Sequence, residues 1–179
     1  MVIALAGRRI DADDAGTPSF PLANVALVRR RLAELFAREA ATALVSSGAC
    51  GADLAGLAVA GERRMRRRVV LPFDRRKFRK TSVVDRPGPW GVLYDDLLAE
   101  LEITGDVVTL SGLEDGNEAY AAANTAILRQ AVAIAGPAGG GVLAVLVWEG
   151  VSRGDDDMTA AFGDGARSLG LRVDQVLTL

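Results

Sequence analysis

The sequence predicts an α/β fold: a mostly parallel, doubly wound sheet of about six strands with helices on both faces. Three observations predict it. Short apolar, β-branched runs recur along the 179 residues. The stretches between them carry helical periodicity instead of strict alternation. The runs are apolar on both of their faces, which in an open sheet requires helices above and below, reached by right-handed crossovers.

In chain order, the first strand is Val2 to Ala6, and it exits through Gly7-Arg8-Arg9 into an irregular stretch, Asp11 to Pro21. A helix follows from Asn24 to Ala40, because Val25, Val28, Leu32, Leu35 and Phe36 fall on one face at helical spacing. The second strand, Thr42 to Ser46, runs into the turn Ser46-Ser47-Gly48-Ala49-Cys50-Gly51-Ala52-Asp53, which opens a helix from Asp53 to Arg66. The third strand, Arg68 to Leu71, stops at Pro72-Phe73 and leads to Phe78 and Ser82, read as part of a lid. Arg79 to Gly91 reads as a second irregular loop, rich in Pro, Gly, Asp and Ser, and both loops are suited to cover a ligand edge. A helix from Tyr94 to Leu101, a fourth strand from Asp106 to Leu110 and a long helix from Asn117 to Ala135 come next. Gly136-Pro137-Ala138-Gly139-Gly140-Gly141 resembles a phosphate loop but precedes a strand, on the wrong edge of the sheet, so it reads as a helix-to-strand turn. The chain closes with a fifth strand, Val142 to Trp148, a helix from Met158 to Leu169 and a sixth strand, Leu171 to Leu177. The whole reads as one Rossmann-like domain over residues 1–179, without internal repeats.

Composition narrows the function. There is no histidine, which excludes Ser-His-Asp and Cys-His catalysis and histidine-ligated zinc together. The single cysteine, Cys50, cannot form an internal disulfide, and no secretory leader is legible at the N-terminus, so a cytoplasmic location is expected. The longest apolar run, Val142 to Trp148, is too short to span a bilayer, so no membrane association is expected. Net charge is −2, yet Glu62 to Lys80 holds ten basic residues against two acids. That run reads either as a solvated helix end or as an anion or nucleic-acid surface.

In an open parallel sheet a ligand sits beyond the carboxyl ends of the strands, so the informative residues are those that follow each strand. In the second-strand turn, Ser47, Gly48, Ala49, Gly51 and Ala52 are small enough to let backbone N–H groups approach a phosphate, and Asp53 can cap the helix or accept from a ribose hydroxyl. The same residues also suit a tight turn with no ligand. Gly7 permits a sharp exit from the first strand, and Arg8 can clamp a phosphate in bidentate fashion. After the fifth strand stand Trp148 and Glu149, and Asp155-Asp156-Asp157-Met158-Thr159 opens the last helix. Those acids read as helix caps, or Glu149 and Asp157 reach ribose hydroxyls or magnesium while Thr159 donates to a phosphate. Cys50 has no histidine to activate it. No catalytic residue, metal ligand or cofactor is assigned.

These pieces in this order resemble the SLOG (SMF/DprA-LOG) superfamily of nucleotide-binding domains: the glycine-basic exit, the Ser-Gly-Ala-x-Gly-Ala-Asp turn, Leu71-Pro72, Phe78 and Ser82, Trp90 with Tyr94, Asn117-Glu118-Ala119-Tyr120 to Asn124, Trp148-Glu149-Gly150, and Thr159. The likeness covers nearly the whole chain. It implies a pocket for a nucleotide or nucleotide-derived signal in a sensor module that passes the signal to an effector protein, with a homodimer as a further expected assembly. Two kinds of relative act differently. The lonely guy phosphoribohydrolases carry a Pro-Gly-Gly-x-Gly-Thr-x-x-Glu motif, and the DNA-processing relatives bind single-stranded DNA. Here the segment before Thr159 reads Arg153-Gly154-Asp155-Asp156-Asp157-Met158, so the enzyme motif and its glutamate are missing. The alternatives are therefore a phosphoribohydrolase using Glu149 or Asp157, and a single-strand binder using Arg63 to Lys80 with Phe73, Phe78 and Trp90. Nucleic acid is not the expected partner, because the chain is slightly acidic overall.

Overall fold

A computed structural model describes residues 1–112, 115–137 and 141–179. Six strands form one parallel sheet: β1 (Val2–Gly7), β2 (Ala43–Ser46), β3 (Arg66–Leu71), β4 (Val107–Thr109), β5 (Val142–Trp148) and β6 (Arg172–Leu177), in the order β4-β3-β2-β1-β5-β6. The helices are α1 (Val25–Arg38), α2 (Ala52–Glu62), α3 (Arg75–Ser82), α4 (Trp90–Ile103), α5 (Asn117–Ala135) and α6 (Met158–Ser168), with a single 3-10 turn at Leu22–Asn24. This is the doubly wound α/β class that the strand pattern predicts.

The central strands are buried on both faces, and their side chains divide with period two. Ile3 and Leu5 of β1, with Leu143, Val145 and Val147 of β5, join the core beneath α1, α2 and α4. Val2, Ala4 and Ala6 of β1, with Val142 and Ala144 of β5, join the core beneath α5 and α6. Register is fixed by this two-sided burial: Val2 to Gly7 pair one for one with Val142 to Val147, and a one-residue slip would exchange the two cores.

The departures from the sequence reading have local causes. Helix α3 occupies residues read as lid and loop, because Phe78 and Ser82 are its only buried side chains and no apolar period announces it. What starts it is Asp74, whose carboxylate accepts from the Arg76 and Lys77 amides, both at 3.0 Å. Helix α4 begins at Trp90, four residues before the predicted start, and buries that indole, whose Nε1 donates to the Pro87 carbonyl at 2.9 Å. Helix α2 ends at Glu62 because Arg64 turns the chain at φ 57° into β3, which starts two residues earlier than predicted. Of the glycine-rich segment expected as a helix-to-strand turn, residues 138–140 lie outside the described residues. Among the described residues no helix is long and apolar enough to cross a membrane.

Candidate functional site

Strand β1 is the switch point of the sheet. The chain winds from β1 outward through β2, β3 and β4, then crosses back over the other face to β5 and β6, so β1 sits between β2 and β5. The crossovers diverge there and leave a crevice beyond the strand ends. Two cavities fill it. The more enclosed of them, a half-open lobe of about 330 Å³, lies between the β1 and β2 ends, α3 and α5, walled by Ala6, Ala49, Phe78, Tyr120, Ala123 and Ile127. An open groove of about 540 Å³ runs from the β1 end beneath the 11–19 loop to the start of α6. Gly7, Arg9, Met158 and Thr159 line both, so the two are continuous.

The second-strand turn is built for close packing. A Cβ on Gly51, whose φ is 92°, would lie 2.8 Å from both the Arg8 carbonyl and the Ile10 nitrogen, so glycine is required by the approach of the first-strand exit. Two of the amides that the sequence offers to a phosphate are already occupied. The Ala52 N–H donates to the Arg8 carbonyl at 3.0 Å and the Ala49 N–H to the Asp53 carboxylate at 3.2 Å, while the Cys50 N–H donates to the Ser82 carbonyl at 2.9 Å. The Cys50 thiol is buried, which pushes it up to about 11 and keeps it protonated.

Asp53 does not cap α2; it sits in the first turn, 5% exposed, on the wall of the enclosed lobe. One carboxylate oxygen accepts from the Ser47 hydroxyl and the Ala49 amide, and the other, Oδ1, is buried with no partner among the described residues. Burial therefore dominates over those hydrogen bonds and raises the carboxyl to about 6.

Arg8 is held elsewhere than the sequence reading put it. Its Nε donates to Glu149 at 2.6 Å, Nη1 and Nη2 donate to the two oxygens of Asp157 at 2.6 and 2.8 Å, and Nη2 also reaches the Val151 carbonyl at 3.0 Å. Its guanidinium carbon lies 5.6 Å from the Trp148 ring centre, a cation–π contact. The expected phosphate clamp is thus closed on the chain's own carboxylates. Asp157 also caps α6 by accepting from the Thr159 and Ala160 amides at 2.9 and 3.1 Å. Burial by itself would raise the Asp157 carboxyl, but Arg8 and the Arg153 and Ala160 amides outweigh it and hold the group at about 2; Glu149 is lowered in the same way. In the structure Glu149 and Asp157, weighed from the sequence as ribose, magnesium or transition-state contacts, tie the β5 end and the α6 start to the β1 exit.

Of the residues the sequence nominates, the structure gathers Gly7, Ser47, Ala49, Asp53 and Thr159 around the enclosed lobe, with Arg8 and Asp157 on the groove. Gly48, Gly51, Ala52, Trp148 and Glu149 line neither. The sequence reading named Arg9 and Met158 only within the first-strand exit and the last-helix start, and did not single out Thr81. It read Phe78 and Ser82 as part of a lid, offered Phe78 also as a stacking surface, and quoted Tyr120 and Asn124 only as parts of a resemblance. Ser82 Oγ and the Tyr120 hydroxyl are 3.1 Å apart on the lobe wall, and Asn124 Nδ2 donates to the Met158 carbonyl at 2.8 Å.

Five of the ten basic residues in the run pair with four acids elsewhere in the chain. Arg66 and Arg68 pair with Asp106 at 2.8 and 2.6 Å, Arg67 with Glu100, Arg75 with Glu102 at 2.7 Å and Arg79 with Asp95 at 2.8 Å. The fold and the crevice together define a Rossmann-like α/β protein with a two-lobed cleft at the switch point. No family model and no curated protein matches the chain.

Proposed function

We propose that this protein binds a nucleotide or nucleotide-derived ligand in the two-lobed cleft, as a binding or sensor module of the kind the SLOG resemblance implies. One observation carries the reading: a half-open lobe with aromatic and aliphatic walls and a few polar groups opens, at the switch point, into a polar groove lined by four arginines and three aspartates. A base and sugar suit the first environment and an ionised tail the second. The carboxylates that a phosphoribohydrolase would need in Glu149 or Asp157 are tied to Arg8, which favours binding over catalysis.

A thermal-shift panel of nucleosides, mononucleotides and dinucleotides tests the proposal, because a ligand at about 100 times its Kd adds roughly 2.7 kcal/mol of stability. At least one member raises Tm, and Ala49→Phe, which adds bulk at a partly exposed residue lining the lobe, removes that shift while circular dichroism shows the variant still folded. A panel with no shift at millimolar concentration, or a shift that survives Ala49→Phe, refutes the proposal.

A further inference from the structure

We infer that Arg9 receives the ligand's phosphate, at the junction of the two lobes, and that the ligand is therefore a nucleoside phosphate with its nucleoside in the enclosed lobe. The inference rests on the reading above and goes beyond it by placing the anion.

Charge decides the orientation. Arg9 and Asp53 are the only charged side chains among the described residues that line the enclosed lobe. An ionised phosphate deep in that lobe would face the Asp53 carboxylate, whose unpartnered Oδ1 leaves its charge incompletely compensated. The turn that would otherwise cradle a phosphate has its Ala49, Cys50 and Ala52 amides bonded internally. What remains for an anion is the part of the lobe shared with the open groove, which Arg9 lines and Asp53 does not.

The two neighbouring arginines differ in what they have left to offer. Arg8 is 6% exposed and uses Nε, Nη1 and Nη2 on Glu149, Asp157 and Val151. Arg9 uses Nη1 alone, on the Thr81 carbonyl at 2.7 Å and on Asp85 at 2.9 and 3.1 Å, so its Nε and Nη2 make no hydrogen bond among the described residues. Its side chain is 30% exposed, and it lines both lobes. The Thr81 contact fixes the guanidinium against α3 while the free donors stay available, which is the arrangement of an anion contact. Arg86 and Arg153 border only the open groove, which Asp11, Asp156 and Asp157 also line, and they pair with Asp85 and Glu149 at 3.6 and 3.1 Å, so a tail longer than one phosphate would meet both signs of charge there.

The experiment compares a nucleoside with its mono- and diphosphate, on the best-binding base of the panel, by calorimetry on the wild type, R9Q and D85N. R9Q weakens the phosphorylated ligands by about tenfold or more, the loss of roughly one charge-assisted contact, and leaves the nucleoside within twofold. D85N, which replaces the negative charge beside Arg9 by a neutral amide, tightens the phosphorylated ligands and leaves the nucleoside unchanged. Should the nucleoside bind too weakly to measure, opposite effects of R9Q and D85N on the phosphates still support the inference. It is overturned if R9Q binds the phosphates as the wild type does, if R9Q weakens nucleoside and nucleotide alike, or if D85N fails to tighten the phosphates. If the wild type binds neither nucleoside nor nucleotide, the binding proposal itself falls, and the inference with it.

Discussion

Replacing Arg8 with methionine removes the one cation that ties β1, β5 and α6 together, and its cost can be worked from the contacts. Arg8 is 6% exposed, the Asp157 side chain fully buried and the Glu149 side chain 12% exposed, so deletion leaves two carboxylates in a largely desolvated place. Asp157 alone, lowered from 3.8 to about 2, corresponds to about 2 to 3 kcal/mol of stability at neutral pH. Removing one partner of a buried pair typically costs about 3 to 5 kcal/mol. Because Asp157 keeps its three backbone donors at Arg153, Thr159 and Ala160, the lower end of that range is expected. In a chain of this size that is a fall in Tm of roughly 6 to 16 °C. The pH dependence has a definite sign. In the wild type a depressed carboxyl contributes stability that is fully present above its ordinary value and lost as pH falls through about 2. In Arg8→Met the same carboxyls are raised by burial, so protonation relieves them and the deficit narrows as pH falls below about 5. Urea denaturation of both proteins at pH 7.5 and 4.5, followed by circular dichroism, measures this. A deficit under about 1 kcal/mol at pH 7.5, or one equal at the two pH values, would refute the buried network as an energetic unit.

Three further outcomes follow from the same geometry. Asp53, raised to about 6, makes the fold gain stability as pH falls from about 7 toward 4; a carboxyl-carbon NMR titration places its midpoint near 6, and one at the ordinary 3.8 contradicts the buried, half-satisfied carboxylate. Gly51→Ala, with its Cβ 2.8 Å from two backbone atoms, lowers stability by about 2 kcal/mol or more, whereas Gly105→Ala, at φ 71° with open space, costs about 1; equal Tm losses would mean that the first-strand exit yields freely. Cys50, held near 11 and without solvent exposure, resists alkylation at pH 8 until the protein is unfolded, and rapid native labelling would show that the turn opens.

Most of the framework is legible in the residues. Val142 to Trp148 and Asn117 to Ala135 were delimited from periodicity alone, because each element buries enough apolar surface to print its own period. Helix α3 prints none: its sequence is Arg75-Arg76-Lys77-Phe78-Arg79-Lys80-Thr81-Ser82, and it is held by the Asp74 cap and by one buried phenylalanine. The turn from Ser46 to Asp53 is legible as a close backbone approach, and what approaches Gly51 in the structure is the Arg8–Ile10 backbone.

By itself the sequence determined the class of fold, the parallel sheet and the absence of any histidine-based chemistry. Each of these depends on composition or on patterns that repeat within a few residues. Only the tertiary structure decided which of two adjacent arginines keeps hydrogen-bond donors unused among the described residues. That choice turns on Glu149 and Asp157, which stand 141 and 149 residues along the chain from Arg8 and reach it only because β1 pairs with β5. Local patterns record which surfaces must be buried, whereas the pairing of charges across the switch point depends on which strand ends the crossovers bring side by side.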